Sequence, residues 1–480
     1  ACPSLLLEPT STNKIQYSEA FGRSYWSKNG SSVQGDPSTA GAEQVTNGDF
    51  ATDSDWTKGT GWTIAGGVAS CDGTQTSQSN FVQVGTVPIN TFYKGTFTAT
   101  ISAGGVNLAI GGSNEQPIVT ASGTYTFYTI ASTGDDNLYF AADADFVGSI
   151  DNVSVKEVQG FASPSGDTNA FKLVESATTT THRLLSNNFS VISGNTYTLS
   201  FFIKKGETNF FQILFGSTGF GNTHANFDLN LGEVGDLSGV NASSSITSFA
   251  NDWYKCTITA DSNLTTSSAL GIALPISSKT AVRQEIYTGD GTSGVYIYGA
   301  QVEQQSYATS YIKNEGDANG ITRAADSATG SGDATVINST EGTLYFEGIA
   351  TNPGVSANSQ ISISSATNSG DNRVMITPSS DTQLTLRFNA GGTQLVTQAV
   401  TVSSLSVNSK IAVRWGNGNY SLYQNGSPVY TQAIASTPIG LAKLNFSSVT
   451  ETNNFNGKVK DLRVYATALS NEELTTLTTI

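Results

Sequence analysis

The segment Thr196–Ile203 reads TYTLSFFI, and its alternation of apolar with polar residues decides the fold class. Successive side chains of a β-strand point to opposite faces, so a period of two indicates a strand. The same pattern returns in Gly294–Tyr298 (GVYIY), Ile411–Trp415 (IAVRW) and Lys458–Tyr465 (KVKDLRVY). Turn residues separate such runs, and the pair Asn425-Gly426 between two of them is the strongest hairpin signal. The sequence therefore predicts an all-β fold.

The composition bounds the number of domains and the class of partner. At roughly 100–200 residues per domain, a chain of 480 residues suggests about three domains. The 49 glycines and the 13% of charged residues favour short strands joined by tight turns. A formal net charge of −15 repels phosphate backbones, so we expect no nucleic-acid partner. No apolar run approaches the roughly 20 residues of a membrane helix, so we expect no membrane insertion.

Only the C-terminal end carries a helical signature. Ser470 and Glu473 are spaced as a capping box, and apolar Leu474 and Leu477 follow, so one short helix is predicted there. The three cysteines are odd in number and lack metal-ligand spacing, so neither a disulfide framework nor a zinc site follows. The chain begins at Ala1 without an initiator Met, which we interpret as a processed or truncated end with more chain upstream.

Two segments near the start are copies of each other. Residues 15–28 (IQYSEAFGRSYWSK) and 45–58 (VTNGDFATDSDWTK) share a Phe, a Trp and a following Ser/Thr-Lys in the same order. Two closing segments follow later, Gly148–Val158 and Gly294–Gln304. Since both openings precede both closings, we predict that one jelly roll is inserted into another.

This order gives the predicted domain boundaries. The host jelly roll is formed by residues 13–36 and 159–312, and the inserted jelly roll is formed by residues 41–158. A third sandwich occupies residues 336–480. An N-terminal extension covers residues 1–12, and a linker covers residues 313–335. The predicted fold is thus three β-sandwich domains with a short C-terminal helix.

Several segments resemble known families. Cys2–Phe21, Tyr298–Ile312 and Ile321–Asp326 resemble the carbohydrate-binding-module-like jelly roll of bacteriophage tail-fibre and head-fibre proteins. Val45–Phe50 together with Ile150–Val158 resembles another jelly-roll module of phage structural proteins. The last domain is similar to the concanavalin-like, laminin-G-type sandwich, most clearly in two stretches, Gly342–Phe346 (GTLYF) and Phe455–Leu477.

The resemblance implies a protein of the virion surface, and hence an extracellular one. Its expected role is a fibre or spike component that contacts host-surface glycans and other virion proteins, as a homo-oligomer that the family likeness makes a trimer. A structural decoration or spacer protein without a ligand is the first alternative. A secreted bacterial adhesin, or the non-catalytic part of a polysaccharide-degrading enzyme, is the second.

Catalytic machinery is missing from the sequence. There is no G-x-S-x-G elbow, no H-E-x-x-H and no phosphate-binding glycine loop, and the two histidines, His182 and His224, have no partner nearby in sequence. We interpret both as exposed loop or strand-edge residues. Glu341 and Glu347 have the same parity in one strand but would lie ~20 Å apart, too far for a two-carboxylate mechanism. We therefore expect no enzyme activity.

Two kinds of binding site are predicted. Jelly rolls of the resembled kind often hold Ca²⁺ between their first and last strands, and Asp49, Asp151 and Asn47 stand at those positions, although Asn47-Gly48 also reads as a plain turn. Calcium is the one cofactor that we expect. Aromatic rings offer flat faces on which sugars stack. The candidates, each of which also reads as a core residue, are Trp62, Tyr93, Trp415, Tyr420 and Tyr423.

Overall fold

The computed structural model describes residues 4–111, 117–131, 135–268, 270–273, 276–351, 360–367, 369–450 and 454–480. The chain divides into two compact units. One contains Ala1–Ser11 and Thr322–Ile480, and the other contains Thr12–Ile321. In the described part, no helix has the length and apolar character needed to cross a membrane.

Four short strands come first in the chain. They are β1 (Leu5–Leu7), β2 (Ser11–Asn13), β3 (Trp26–Asn29) and β4 (Ser31–Gln34). In the part of the chain that the structure describes, none of them forms a hairpin with the strands of residues 57–157. Instead β3 and β4 each join a sheet whose other members come after residue 170.

The next nine strands form a β-sandwich of their own. They are β5 (Thr57–Lys58), β6 (Trp62–Ala65), β7 (Val68–Asp72), β8 (Ser79–Gln83), β9 (Phe92–Ala103), β10 (Val106–Ile110), β11 (Gly123–Ile130), β12 (Leu138–Ala142) and β13 (Val147–Glu157). One sheet has the order β10-β12-β8-β5 and the other β11-β9-β13-β7-β6. Phe81 and Phe140 of the first sheet meet Phe97 and Ile150 of the second in one buried core.

Fourteen further strands complete the second sandwich of this unit. They are β14 (Phe171–Glu175), β15 (Thr179–Thr180), β16 (Arg183–Ser186), β17 (Phe189–Val191), β18 (Thr196–Lys205), β19 (Phe210–Phe215), β20 (His224–Asp228), β21 (Glu233–Ser238), β22 (Ser243–Ser248), β23 (Trp253–Asp261), β24 (Thr266–Ser268), β25 (Leu270–Ala273), β26 (Tyr287–Thr288) and β27 (Gly294–Glu303). The two main sheets are β22-β23-β18-β27-β14-β4 and β21-β20-β19-β25-β16-β3.

The pairing of β3 and β4 explains why the opening segment has no closing partner nearby. Ser27 on β3 lies opposite Leu185 on β16, and Val33 on β4 lies opposite Leu173 on β14, in antiparallel ladders. Trp26 joins the core that these later strands form. The chain therefore leaves this sandwich after β4 and returns to it at β14. The exact domain boundaries given above remain predictions, because both sandwiches belong to one compact unit.

The other unit contains the remaining strands and the C-terminal helix. They follow β28 (Ile321–Arg323), which begins at the last residue of the unit Thr12–Ile321, and are β29 (Gly342–Ala350), β30 (Ile361–Ser365), β31 (Arg373–Ser380), β32 (Gln383–Ala390), β33 (Thr393–Thr401), β34 (Ser409–Gly416), β35 (Asn419–Gln424), β36 (Ser427–Ala433), β37 (Leu441–Asn445) and β38 (Gly457–Tyr465), with a helix at Asn471–Thr478. The sheets are β1-β38-β29-β34-β35-β36 and β33-β32-β31-β30-β37. The N-terminal strand β1 is thus an edge strand of this unit, paired with β38.

The predicted all-β class with a short C-terminal helix is confirmed. β35 and β36 form the hairpin at Asn425-Gly426, where both residues have positive φ, as the turn requires. Ser470 accepts from the Glu473 amide and Glu473 accepts from the Ser470 amide, so the capping box is formed. Two 3-10 turns, Pro37–Thr39 and Ala250–Asp252, and a short turn at Ser217–Phe220, in which Thr218 and Gly219 have non-helical backbone angles, were not predicted.

Candidate functional site

The outer face of the second sheet in the C-terminal sandwich is unusually polar. On β30, Ile361 and Ile363 point into the core, so Ser362 and Ser364 point to the opposite face. Both serines are fully buried, as is Asn445 on β37. A sheet face that is buried yet polar needs hydrogen-bond partners, which makes it a place to look for a ligand.

Four residues form a continuous line across this face. Ser364 lies opposite Lys443 on one side and opposite Arg373 on the other, and Arg373 lies opposite Asn389. Directly opposed residues on antiparallel strands have Cβ atoms ~5 Å apart, so their side chains are neighbours. We call Lys443, Ser364, Arg373 and Asn389 the polar row. The polar row thus crosses the four neighbouring strands β37, β30, β31 and β32.

Five polar atoms on and beside the polar row are buried and have no hydrogen-bond partner among the described residues. Four lie on this face, the Ser364 Oγ, the Arg373 Nε, the Asn389 Oδ1 and the Asn445 Nδ2, and the fifth is the Ser365 Oγ, which lies on the core side of the same strand. The two amides are otherwise fixed: Asn389 donates to the Gly370 carbonyl at 2.9 Å, and Asn445 accepts from the Gly330 amide at 2.7 Å. Each unpartnered atom costs roughly 1–3 kcal/mol, so a ligand or water that reached them would be stabilised.

The row is also positively charged, although the whole chain carries a formal charge of −15. Burial lowers the pKa of the Arg373 guanidinium, and the nearby charge of Arg387 lowers it further. Among the described carboxylates, none forms an ion pair with Arg373 or Arg387. Two guanidinium groups without an anionic partner can bind a carboxylate or sulfate group in bidentate fashion.

The chemistry of the row suits binding rather than bond cleavage. It offers hydroxyl groups that donate and accept, amide groups of both kinds and a guanidinium donor, which together match the hydroxyls of a sugar. It contains no carboxylate, the group on which most glycoside hydrolysis depends. The arrangement can therefore hold a polyhydroxylated ligand, and it lacks the pair of carboxylates that most glycoside hydrolysis requires.

The five predicted aromatic platforms are core residues, which corrects the prediction that they present flat faces to sugars. Trp415 and Tyr420 have no exposed surface, and Tyr93 is 1% exposed. Trp62 packs in a stacked arrangement on Phe81 with ring centroids 4.9 Å apart, and Tyr423 packs with Leu474 of the C-terminal helix. Large aromatic side chains gain most from burial, and the faces of these rings already pack against other side chains of the core.

The turn that carries Asn47 and Asp49 lies beside the strand that carries Asp151. Val153 donates to the Gly48 carbonyl at 2.9 Å, which places the opening turn beside the closing strand. The amide of Asn47 bonds to the backbone of Thr52 and Ser54, and Asp151 accepts from Asn152. Within the described residues, no three His, Cys, Asp or Glu side chains group closely enough to hold a metal ion. Calcium binding at Asp49, Asp151 and Asn47 stays a prediction.

The two glutamates considered for catalysis have separate partners. Glu347 accepts from Lys460 at 2.6 Å and from Asn408 at 3.2 Å, whereas Glu341 accepts from the Ala468 amide at 3.2 Å. His182 is buried rather than exposed, and its ring contacts the carbonyl groups of Gly30 and Tyr287, which corrects its interpretation as a surface residue.

Sequence reasoning missed the polar row, although a signal was present. Ile361–Ser365 reads ISISS and Gln383–Ala390 reads QLTLRFNA, so one face of each strand is apolar and the other carries Ser, Thr, Arg or Asn. The alternation identifies the polar face, but it does not show that this face is buried. The predicted sugar sites were all aromatic residues, and the polar row contains none.

The C-terminal sandwich is similar to proteins of known fold. Residues 351–475 match the family model described as the concanavalin A-like lectin/glucanases superfamily, and this range includes the polar row. No curated protein matches the chain in sequence.

Several solved structures are similar to part of the chain. The IT-sialidase CBM40 of Ruminococcus gnavus, bound to α2,3-sialyllactose, is 20% identical with a TM-score of 0.26, covering 32% of this chain and 94% of its own. The heptameric SAP-like pentraxin of Limulus polyphemus is 14% identical with a TM-score of 0.26, covering 31% and 73%. The leech intramolecular trans-sialidase is 20% identical with a TM-score of 0.24, covering 29% and 23%. Identities this low concern the fold alone.

Proposed function

We propose that this chain is a non-catalytic carbohydrate-binding protein and that the polar row is its sugar site. One observation carries the proposal: among the described residues, four buried polar atoms on one face of the second sheet lack hydrogen-bond partners, within the segment that matches the lectin and glucanase family model. Sugar hydroxyls both donate and accept, so one ligand could satisfy serine hydroxyls, an amide oxygen and a guanidinium N–H together.

The positive charge of the polar row should favour anionic sugars over neutral ones. Arg373 and Arg387 have no carboxylate partner in the described part of the chain, so an anionic sugar gains charge-assisted hydrogen bonds that a neutral one lacks. We therefore expect acidic saccharides, such as those with a carboxylate, to bind more tightly. The contribution of charge falls as salt is added, because ions screen the interaction.

A glycan array tests the proposal directly. The purified chain, with folding verified by a cooperative melting transition, is applied to an array that contains neutral and acidic saccharides. Selective retention on acidic saccharides, weakened by added salt, supports the proposal. An array that stays silent with folded protein contradicts it and favours the spacer alternative.

The finer role rests on the family resemblance of the jelly-roll segments. It supports a place on the surface of a bacteriophage virion, as a fibre or spike component that meets host glycans and neighbouring virion proteins. A trimer would present three sites and raise the avidity of weak contacts. Mass spectrometry of purified virions tests the location, since detection there favours the fibre, whereas detection only among secreted bacterial proteins favours the adhesin. Light scattering of the purified chain tests the trimer.

A further inference from the structure

A cavity lies in the unit of residues 12–321, where the sandwich of residues 57–157 meets the one that surrounds it in sequence. Its volume is about 550 Å³, within the range of small-molecule sites. Asn90, Phe92 and Ile130 come from the first sandwich, and Asn169 and Phe171 come from the second. Tyr17, Glu19 and Arg23 of the opening segment complete the wall. The chain leaves one sandwich after β4, builds the other and returns at β14, and the cavity lies where the two sandwiches meet.

One side of the cavity is apolar and well fixed. The rings of Phe92 and Phe171 lie 4.7 Å apart at an interplanar angle of 56°, and Ile130 lines the cavity beside them. Gly22 allows this arrangement, because a Cβ at that position would stand 2.7 Å from the Phe92 ring. The wall therefore presents a preformed apolar surface.

The polar part of the lining supplies one hydrogen-bond donor that has no partner among the described residues. The Arg23 guanidinium lies 4.9 Å above the Tyr17 ring and donates to the Asn90 Oδ1 at 2.8 Å. These contacts hold the side chain in place. Its Nε is buried and has no acceptor among the described residues. A ligand oxygen in the cavity could accept from it.

The cavity lining also supplies one hydrogen-bond acceptor that has no partner among the described residues. Asn169 donates to the Glu19 carboxylate at 3.1 Å, which fixes the direction of its amide, while its Oδ1 is buried without a donor in the described part of the chain. Lys313 pairs with Glu19 at 3.3 Å and with Glu315 at 2.6 Å. The two carboxylates of the lining are balanced by Lys313 and Arg23, so the cavity has no net charge that favours an ion, and the Asn169 Oδ1 requires a partner with an N–H or O–H donor.

We propose that this cavity binds a saccharide that carries an acetamido group. The amide N–H donates to the Asn169 Oδ1, an oxygen of the sugar accepts from the Arg23 Nε, and the acetyl methyl packs on the wall of Phe92, Phe171 and Ile130. The acetamido group combines a donor, an acceptor and an apolar end at the spacing of a few ångströms. This preference differs from that of the cationic polar row, so the two sites take different sugars.

Two disaccharides of matched linkage test the proposal on the unaltered full chain. N,N′-diacetylchitobiose carries the acetamido group, and cellobiose has a hydroxyl in its place. Titration calorimetry should show N,N′-diacetylchitobiose binding about three- to tenfold more tightly, the factor expected for one net hydrogen bond. Saturation-transfer NMR should give its strongest signal at the acetyl methyl. Equal affinities, no binding, or saturation spread evenly over the sugar would overturn the proposal.

A pair of asparagine variants locates the site. Asn169→Ala removes the acceptor and should weaken the binding of N,N′-diacetylchitobiose about three- to tenfold. Asn188 is exposed, so Asn188→Ala should bind this sugar as tightly as the unaltered chain does. Melting curves verify that both variants fold. Should Asn169→Ala not fold, the sugar comparison and the methyl signal decide the question alone. Equal weakening by both variants, or no weakening by Asn169→Ala, contradicts the assignment.

Discussion

Ser364 lies directly opposite Arg373 on neighbouring antiparallel strands, and both carry a buried polar atom without a partner among the described residues. The serine Oγ can donate or accept and the arginine Nε can donate, so a single ligand hydroxyl could bond to both. Folded proteins rarely leave such atoms unpaired side by side, because each costs free energy of folding. This pair is the reason for placing the sugar site on the second sheet of the C-terminal sandwich.

Removal of the Ser364 hydroxyl should therefore stabilise the ligand-free chain. Ser364→Ala deletes a buried unsatisfied group, and we expect the free energy of unfolding to rise by about 1 kcal/mol while sugar binding weakens. Ser362→Ala is the matched control, because the Ser362 Oγ donates to the Ser447 carbonyl at 2.8 Å, and its loss should destabilise the chain by about 1 kcal/mol. Denaturant titration measures both values. Equal destabilisation by the two variants would contradict the account.

The contact between Gly48 in the opening turn and Val153 in the closing strand β13 should be sensitive to a single added methyl group. A Cβ on Gly48 would stand 2.1 Å from the Val153 carbonyl oxygen, so Gly48→Ala must displace backbone, and we expect a loss of about 1–3 kcal/mol. Gly41→Ala meets only ordinary contacts, at 3.7 Å from the Glu157 carbonyl oxygen, and should change stability by less than about 0.5 kcal/mol. Thermal melting compares the two. Similar melting temperatures would show that the opening turn and closing strand are not joined as described.

Acid should weaken the C-terminal sandwich through Glu347. Burial alone would raise the pKa of this carboxyl, but hydrogen bonds from Lys460 and Asn408 outweigh burial and hold its pKa below the ordinary 4.5. A lowered pKa contributes stability above the unfolded value, and that contribution is lost as the pH falls from 4.5 through the lowered pKa. Glu347→Gln should lower stability at neutral pH and flatten this part of the stability–pH profile. An unchanged profile in the variant would rule out this role.

Calcium, if it binds through Asp49, Asp151 and Asn47, should raise the melting temperature. A ligand that binds only the folded state at 100 times its Kd adds about 2.7 kcal/mol to the free energy of unfolding. We expect a higher melting temperature in excess calcium than in chelator, and we expect Asp49→Asn to abolish the difference. Coincident melting curves for the unaltered chain would remove calcium from the account.

The repeated opening segment shows how far sequence alone can reach. Trp26 donates its indole N–H to the Tyr17 carbonyl at 2.8 Å, and Trp56 donates to the Asn47 carbonyl at 3.3 Å, nine residues back in both copies. Phe21 packs on Trp26 as Phe50 packs on Trp56, with ring centroids 5.1 and 5.6 Å apart. The sequence spacing of these large aromatic residues determines their local packing, so this part of the fold was predictable from the sequence.

The candidate site was not predictable in the same way. The alternation of Ile361–Ser365 assigns Ser364 to the face away from the core, but its burial depends on neighbours that are distant in sequence. Register decides the rest, since Lys443 and Arg373 become neighbours of Ser364 only through the pairing of β30 with β37 and β31. The predicted aromatic sites failed for a related reason, because a sequence does not show which rings are covered.

The most direct test of the sugar site compares two arginine variants with the acidic saccharide that the array identifies. Titration calorimetry should show that Arg373→Gln weakens binding at least about tenfold, since charged hydrogen bonds contribute roughly 1.5–3 kcal/mol. Arg463→Gln is the control, because Arg463 pairs with Asp461 on the surface of the other sheet and should leave the Kd unchanged. Equal affinities for the unaltered chain and Arg373→Gln would contradict the proposal that the polar row binds the sugar.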